Sequence, residues 1–331
     1  MKRLYLVLII VAIIAVTTTM TRPSIVTAIG VDIVSTYVTE PLPTEDMDSK
    51  LWERALPVGV PLSGQQTTQP MNRNASVGTM NIHSLNNGDQ VTFLLQWEDE
   101  VKDEGGGVVT YRDSVALQFP AGENGDPFSD FICMGIGMEG EETALIDIIL
   151  WRSDFQRDIE EGLLDVQDIF PNTVVDYYPA LDQPDPVTFR TAEAVGNRLA
   201  SSTRSEPIER LYAEGFGSLE GRESVDATGW GQWADGQWQV IITRPLVPED
   251  NANAPLALGQ LTSVAIASWD GDNQEVDGRK SVSSWLILEV QPERTAASLY
   301  TTVLPAVLAI TGALILTLLV RGIALSRRQR Q

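Results

Sequence analysis

Short runs in which apolar and polar residues alternate, each closed by a turn signal, recur through the middle of this chain and leave little room for long helices. In residues 77–97, VGTMNIHSLNNGDQVTFLLQW, the side chains of Val91, Phe93, Leu95 and Trp97 fall on one side and those of Thr92, Leu94 and Gln96 on the other. A period of two marks a strand with one buried face. Asn87 and Gly88 between the two runs supply the positive φ angles of a tight hairpin. The pattern returns after Asp235 and Gly236, where Trp238, Val240 and Ile242 alternate with smaller or polar neighbours, and at Val115, Leu117 and Phe119. Further strands are expected over 144–151, 260–269 and 281–290, an edge strand within 31–70, and weak helical character over 188–201. The fold class these runs predict is all-β with few short helices, an antiparallel β-sandwich of about 260 residues.

Two uncharged stretches bracket that sandwich. Residues 4–21 follow Lys2 and Arg3 and read as a signal peptide or an N-terminal anchor, within a segment 1–30. Residues 299–320 form an uncharged run that, at about 1.5 Å per residue, can cross a hydrocarbon layer of roughly 30 Å. Arg321, Arg327, Arg328 and Arg330 follow it. Positive charge beside both stretches puts both termini inside and the domain at 31–295 on the outer face of the cell membrane, with 296–331 as transmembrane helix and basic tail.

The chain has 331 residues, 45 acids against 23 basic residues, and a formal net charge of -22. Of the basic residues 19 are Arg and only 4 are Lys: Lys2, Lys50, Lys102 and Lys280. Such a carboxylate-rich, lysine-poor surface resembles that of proteins from salt-loving archaea and argues against nucleic acid as a partner. A single Cys makes no internal disulfide, and without Cys-x-x-Cys-His there is no covalently attached c-type haem. A single His, His83, excludes a bis-His ligand pair; it sits on a strand and is assigned no chemistry. The acidic run at Glu98, Asp99, Glu100, Asp103 and Glu104 lacks the ordered spacing of an EF-hand and reads as a solvated hairpin loop. Gly135 to Gly140 fits a dinucleotide-binding pattern, but the β-branched run that follows predicts a strand where that pattern needs a helix.

Two features are left that could carry chemistry. Met134 and Met138 lie on the Pro- and Gly-rich connection between two strands of residues 111–151. Thioethers there either fill gaps in a core or ligate a soft metal such as haem iron. Lys280 opens the last strand, in DGRKSVSSWLILEV; it is either a solvated turn residue or an amine that gives up its proton and offers a lone pair, which guanidinium cannot do.

Read together, the run DSVALQFP, the acidic loop, the PF pair, Met134-Gly135 and the strand ending in Trp151 resemble the haem-binding subunit of ethylbenzene dehydrogenase and of related complexes acting on dimethyl sulfide, selenate, chlorate, nitrite or nitrate. DSKLWERALPVGVPL, the Gly196-Asn197 pair, the turn from Ala213 to Gly217 and GRKSVSSW extend the resemblance over most of 46–290. It implies a β-sandwich with one haem b between a Met and a Lys, here Met134 and Lys280, with Met138 as the alternative sulfur. It further implies an electron-transfer subunit that is not itself the enzyme. Its partners would be a molybdopterin catalytic subunit, an iron-sulfur subunit and a membrane cytochrome b or other quinol-oxidising protein, and nitrate respiration is the first reaction to consider. A membrane helix departs from the soluble members of that family. The competing reading is a cofactor-free cell-surface β-sandwich that binds carbohydrate or protein through its aromatic clusters, Trp230, Trp233 and Trp238 among them.

Overall fold

The computed structural model describes residues 30–107, 109–121, 145–164, 166–174, 191–214, 217–222, 225–248 and 253–293, with 308, 311 and 312 beyond them. The chain divides into a compact unit of residues 31–292 and a second of residues 1–30 and 293–331. The second unit lies almost wholly outside the described residues, and with it both uncharged stretches. Among the described residues no helix is long and apolar enough to cross a membrane.

The first unit is mostly strand. One half of its sheet runs β10 (Thr228–Ala234), β11 (Gln237–Pro245), β5 (Gln90–Glu98), β4 (Thr79–Asn86), with β2 (Val58–Pro61) on the far edge of β4. The other half runs β14 (Leu286–Val290), β12 (Leu261–Trp269), β6 (Ser114–Ala121), β7 (Leu145–Arg152), β8 (Ile208–Ala213) and β9 (Glu220–Gly221). Two short strands, β3 (Ser63–Gly64) and β13 (Ser281–Val282), pair with each other, and β13 also pairs with β12. Between the halves stands β1 (Ile33–Tyr37), parallel to β14 through Ile33 and Leu288 and parallel to β4 through Thr36 and Leu85. The sheet is therefore single and mixed, where the sequence predicted wholly antiparallel pairing. Turn signals announce hairpins, and β1 has none because each of its partners is distant in the chain.

The predicted alternation holds strand by strand. Val91, Phe93, Leu95 and Trp97 of β5, Val115, Leu117 and Phe119 of β6, and Trp238, Val240 and Ile242 of β11 all join one buried cluster. The halves meet across it: Phe93 lies 6.2 Å from Phe119, and Trp238 lies 5.0 Å from Trp151 of β7, edge to face. Full burial of each such side chain contributes roughly 1.5–3 kcal/mol. Asp235 and Gly236 both take positive φ, 52° and 78°, and close β10 to β11 as expected. Between β4 and β5 only Gly88 does so, at 94°. Asn87 instead works through its side chain, whose Oδ1 accepts from the N–H groups of Asp89 and Gln90 at 3.1 and 2.8 Å.

Helix is sparse. The first, α1 (Ser153–Glu160), follows directly on β7 and was not expected from its acidic sequence. Asp154 in its first turn meets the positive end of the helix dipole. Gln156 fixes it to the sheet by accepting from the Trp151 indole at 3.0 Å and the Gly231 N–H at 2.7 Å. Thr191–Ala194 forms a short turn of helix and Arg198–Ala200 a 3-10 turn within the stretch expected to be helical.

Inside the apolar core, Asp147 of β7 is fully buried between two equally buried arginines, Arg210 of β8 at 3.0 Å and Arg244 of β11 at 3.2 Å. Its Oδ2 also accepts the Ala254 N–H at 3.0 Å. Burial pulls the Arg244 guanidinium down to about 10, and the Asp147 charge opposes that pull. Removing the carboxylate takes from Arg244 the acid it pairs with and leaves Arg210 with Asp226 at 3.1 Å. Asp147→Ala is expected to cost about 3–5 kcal/mol in chemical denaturation, with Asp147→Asn close behind. A Cβ at Gly231 would lie 2.3 Å from Trp151 Cζ2. Gly231→Ala is therefore expected to cost about 1–3 kcal/mol by overpacking, read in the same way.

Candidate functional site

The alternation that sends Val115, Leu117 and Phe119 inward sends Ala116 and Gln118 to the outer face of the same sheet half. In register across that face, Ala267 of β12 lies beside Ala116, and Ala116 beside Leu150 of β7. The next row runs Ala265, Gln118, Ile148 and Leu211. Ala116, Ile146, Ile148 and Leu211 form a buried cluster of their own, with Leu150, Ala267, Trp269 and Trp285 packed against it. An outer sheet face turned to water is ordinarily polar. This one is apolar, with alanines set between larger neighbours.

Lys280 stands at the edge of that face. Its neighbour Ser281 points the other way, fully buried, and accepts the Ser76 N–H at 3.1 Å. The side chain of Lys280 is thereby placed outward, its Nζ 5.0 Å from the ring centre of Trp269 and the residue only 8% exposed. The Gln65 N–H donates to the Lys280 carbonyl at 3.0 Å, and the Gln65 side chain donates to the Gly278 carbonyl at 2.8 Å. Lysine is among the residues least often buried to this degree. Lys102 is paired with Glu104 at 2.7 Å, and Lys50 is exposed.

The connection from β6 to β7 leaves and re-enters the sheet at the pair Ala121 and Leu145, while Trp269 beside Ser114 marks the Lys280 end. At roughly 3.3 Å per residue these ends are about 23 Å apart. Met134 and Met138 both belong to residues 122–144, outside the described residues, so their place relative to Lys280 is carried forward as a proposal. The Lys280 end also gathers charge. Arg152 pairs with Asp154 at 2.7 Å and with Glu209 at 3.2 Å, and Arg112 lies 3.5 Å from Asp154. Burial, then the neighbouring Arg152 charge, hold the Arg112 guanidinium below its ordinary value.

His83 is on the opposite half of the sheet, on the outer side of β4, with its ring 6.5 Å from that of Trp52. Burial pulls its imidazole below the usual range. Trp238 is a core residue, Trp233 packs against that core, and Trp230 packs against the cluster on the outer side of β4 and β5. Sequence reasoning did not single out the outer face as a site. Its one local signal is the pair Ala265 and Ala267, small residues at alternate positions of a strand that carries Val264 and Ile266 inward.

The ethylbenzene dehydrogenase family model matches residues 49–281, more than two thirds of the chain. A proposed respiratory nitrate reductase heme subunit, ORF7, of Haloferax mediterranei is 22% identical over 271 residues, 79% of this chain and 77% of that protein. The gamma subunit of chlorate reductase from Ideonella dechloratans is 33% identical over 73 residues, 22% of this chain and 30% of that one. Among solved structures, a family 9 carbohydrate-binding module from Caldicellulosiruptor kristjanssonii with cellotriose covers 80% of this chain and 96% of its own at 8% identity. Its TM-score is 0.37, too low to carry an argument about fold or ligand. The chain belongs to the ethylbenzene dehydrogenase family.

Proposed function

We propose that this chain is the haem b subunit of a respiratory oxidoreductase complex, with the haem on the outer face of β12, β6, β7 and β8 and its iron between Met134 and Lys280. The observation that carries the proposal is the position of Lys280: an almost fully buried lysine beside Trp269, at the edge of an apolar sheet face, where the other buried cations among the described residues are arginines. The names of the similar proteins from Haloferax mediterranei and Ideonella dechloratans support a subunit of this kind, and nitrate reduction as the first reaction to test.

The residues present suit a porphyrin. The rows of Ala116, Ala265 and Ala267 offer a flat apolar bed, with Ile148, Leu150, Leu211 and Trp269 around it. Lys280 in its neutral form would have a lone pair to give. About 23 residues connect β6 to β7, a contour long enough to return from the Ala121 end and bring the Met134 sulfur, or that of Met138, over the face. A Met sulfur holds the potential higher than a nitrogen donor would in its place. A haem held by these residues would supply single-electron transfer. The chain itself would position and insulate it, the turnover belonging to a molybdopterin subunit reached through an iron-sulfur subunit. Residues 1–30 and 296–331 would hold the domain to the outer face of the membrane, within reach of a quinol-oxidising cytochrome b.

The full chain produced with haem available is expected to show a b-type pyridine haemochrome and the sharp reduced bands of a low-spin centre. Met134→Ala and Lys280→Ala are each expected to turn the spectrum high-spin or to lose haem. Unchanged low-spin spectra in both would overturn the ligand assignment. Ala267→Trp, which raises a bulky ring from the bed, is expected to lower haem content at least tenfold while far-ultraviolet circular dichroism keeps its strand signature.

A further inference from the structure

A second chemical group sits at one end of the first unit, apart from the apolar face. Asp99 directly follows β5, Asp113 directly precedes β6 and Asp270 directly follows β12. Their carboxylates each offer an oxygen within 4.8 Å of the others. The acidic run that reads as a solvated loop in the sequence is thus partly interior: Asp99 is 7% exposed and Asp113 fully buried.

Neighbouring groups fix these carboxylates without neutralising them. Asp113 Oδ2 accepts the Trp238 indole N–H at 2.9 Å and the Asp103 N–H at 2.7 Å, and its Oδ1 accepts the Gly271 N–H at 2.9 Å. Asp270 accepts from the backbone and side-chain amides of Asn273 at 3.0 and 2.7 Å. One oxygen of Asp99 accepts the Val101 N–H at 3.2 Å. Its other oxygen, Oδ2, is buried without a hydrogen-bond partner, with the Trp97 indole beside it, and Asp103 Oδ2 is likewise buried without one. Among the described residues no Lys or Arg pairs with Asp99, Asp113 or Asp270. Burial, with Asp270 adding repulsion, lifts the Asp99 carboxyl to about 7; burial and then Asp99 lift that of Asp113 to about 8. A buried, unpaired carboxylate oxygen such as Asp99 Oδ2 is costly, and two further carboxylates close by add to that cost.

We propose that Asp99, Asp113 and Asp270 bind one calcium ion, which fastens the β5–β6 connection to the β12–β13 connection. The donors are all oxygen, without the nitrogen or sulfur that a softer metal selects. Calcium takes six to eight oxygens in adaptable geometry, and carboxylates on two separate loops, with carbonyls and water to complete the shell, suit it. Magnesium demands a near-ideal octahedron and keeps much of its own water, which this partly buried group serves poorly. Asp99 Oδ2 gains the partner it otherwise lacks.

The test uses the full chain, purified in detergent at high salt, stripped with chelator and dialysed. Titration calorimetry with calcium chloride is expected to give one saturable site. At a hundredfold excess over Kd, calcium is expected to raise the thermal midpoint by roughly 5–10 °C, with magnesium producing less than half of that. Asp99→Asn and Asp270→Asn, which leave the core hydrogen bonds of Asp113 intact, are each expected to weaken calcium binding at least tenfold. Elemental analysis of unstripped protein checks occupancy at about one calcium per chain. A stripped chain that takes up no calcium, or single variants that bind it as the parent does, would overturn the proposal in favour of a proton shared among the carboxylates.

Discussion

The space between the two halves of the sheet is filled, and that constraint decides where everything else goes. Trp97, Trp151 and Trp238 occupy one part of it, Phe93 and Phe119 another, and the Asp147 ion cluster a third. The last of these is the most demanding. A carboxylate and two guanidiniums removed from water stay together only while their geometry is kept, which ties β7, β8 and β11 into fixed relative positions. What else is apolar lies on the outer faces, one cluster over β4 and β5 and another over β12, β6, β7 and β8.

The division of labour between Arg and Lys follows from the same constraint. Among the described residues the buried cations are Arg152, Arg157, Arg210, Arg222, Arg244 and Lys280. The arginines at 152, 210 and 244 each meet acidic partners through a planar fork that can hold several oxygens at once. Lysine offers a single compact head, inferior for such clusters and superior as a donor of one lone pair.

Much of this was legible beforehand wherever period-two alternation was strong. The inward residues of β5, β6 and β11 and the turn at Asp235-Gly236 are where the pattern put them. Three things were not legible. The parallel pairings of β1 depend on partners roughly 50 and 250 residues away, which no local pattern encodes. The helix after β7 draws its support from the bond between Gln156 and Trp151 and from Phe155, one buried ring in an otherwise polar sequence. The burial of Asp99 and Asp113 depends on two loops meeting, whereas acidity alone predicts solvent. Lys280 was singled out by its residue type and by family resemblance. It lies buried beside Trp269, and its role as a ligand, like that of the sulfur partner, rests on the resemblance.

The placement of β1 has a mechanical corollary. Because the first and last strands of the domain lie side by side and point the same way, tension applied to its two ends slides one along the other. The evenly spaced bonds of a parallel pair then share the load together instead of opening one after another. A domain tethered at either end would yield to pulling only when that whole row gave way at once.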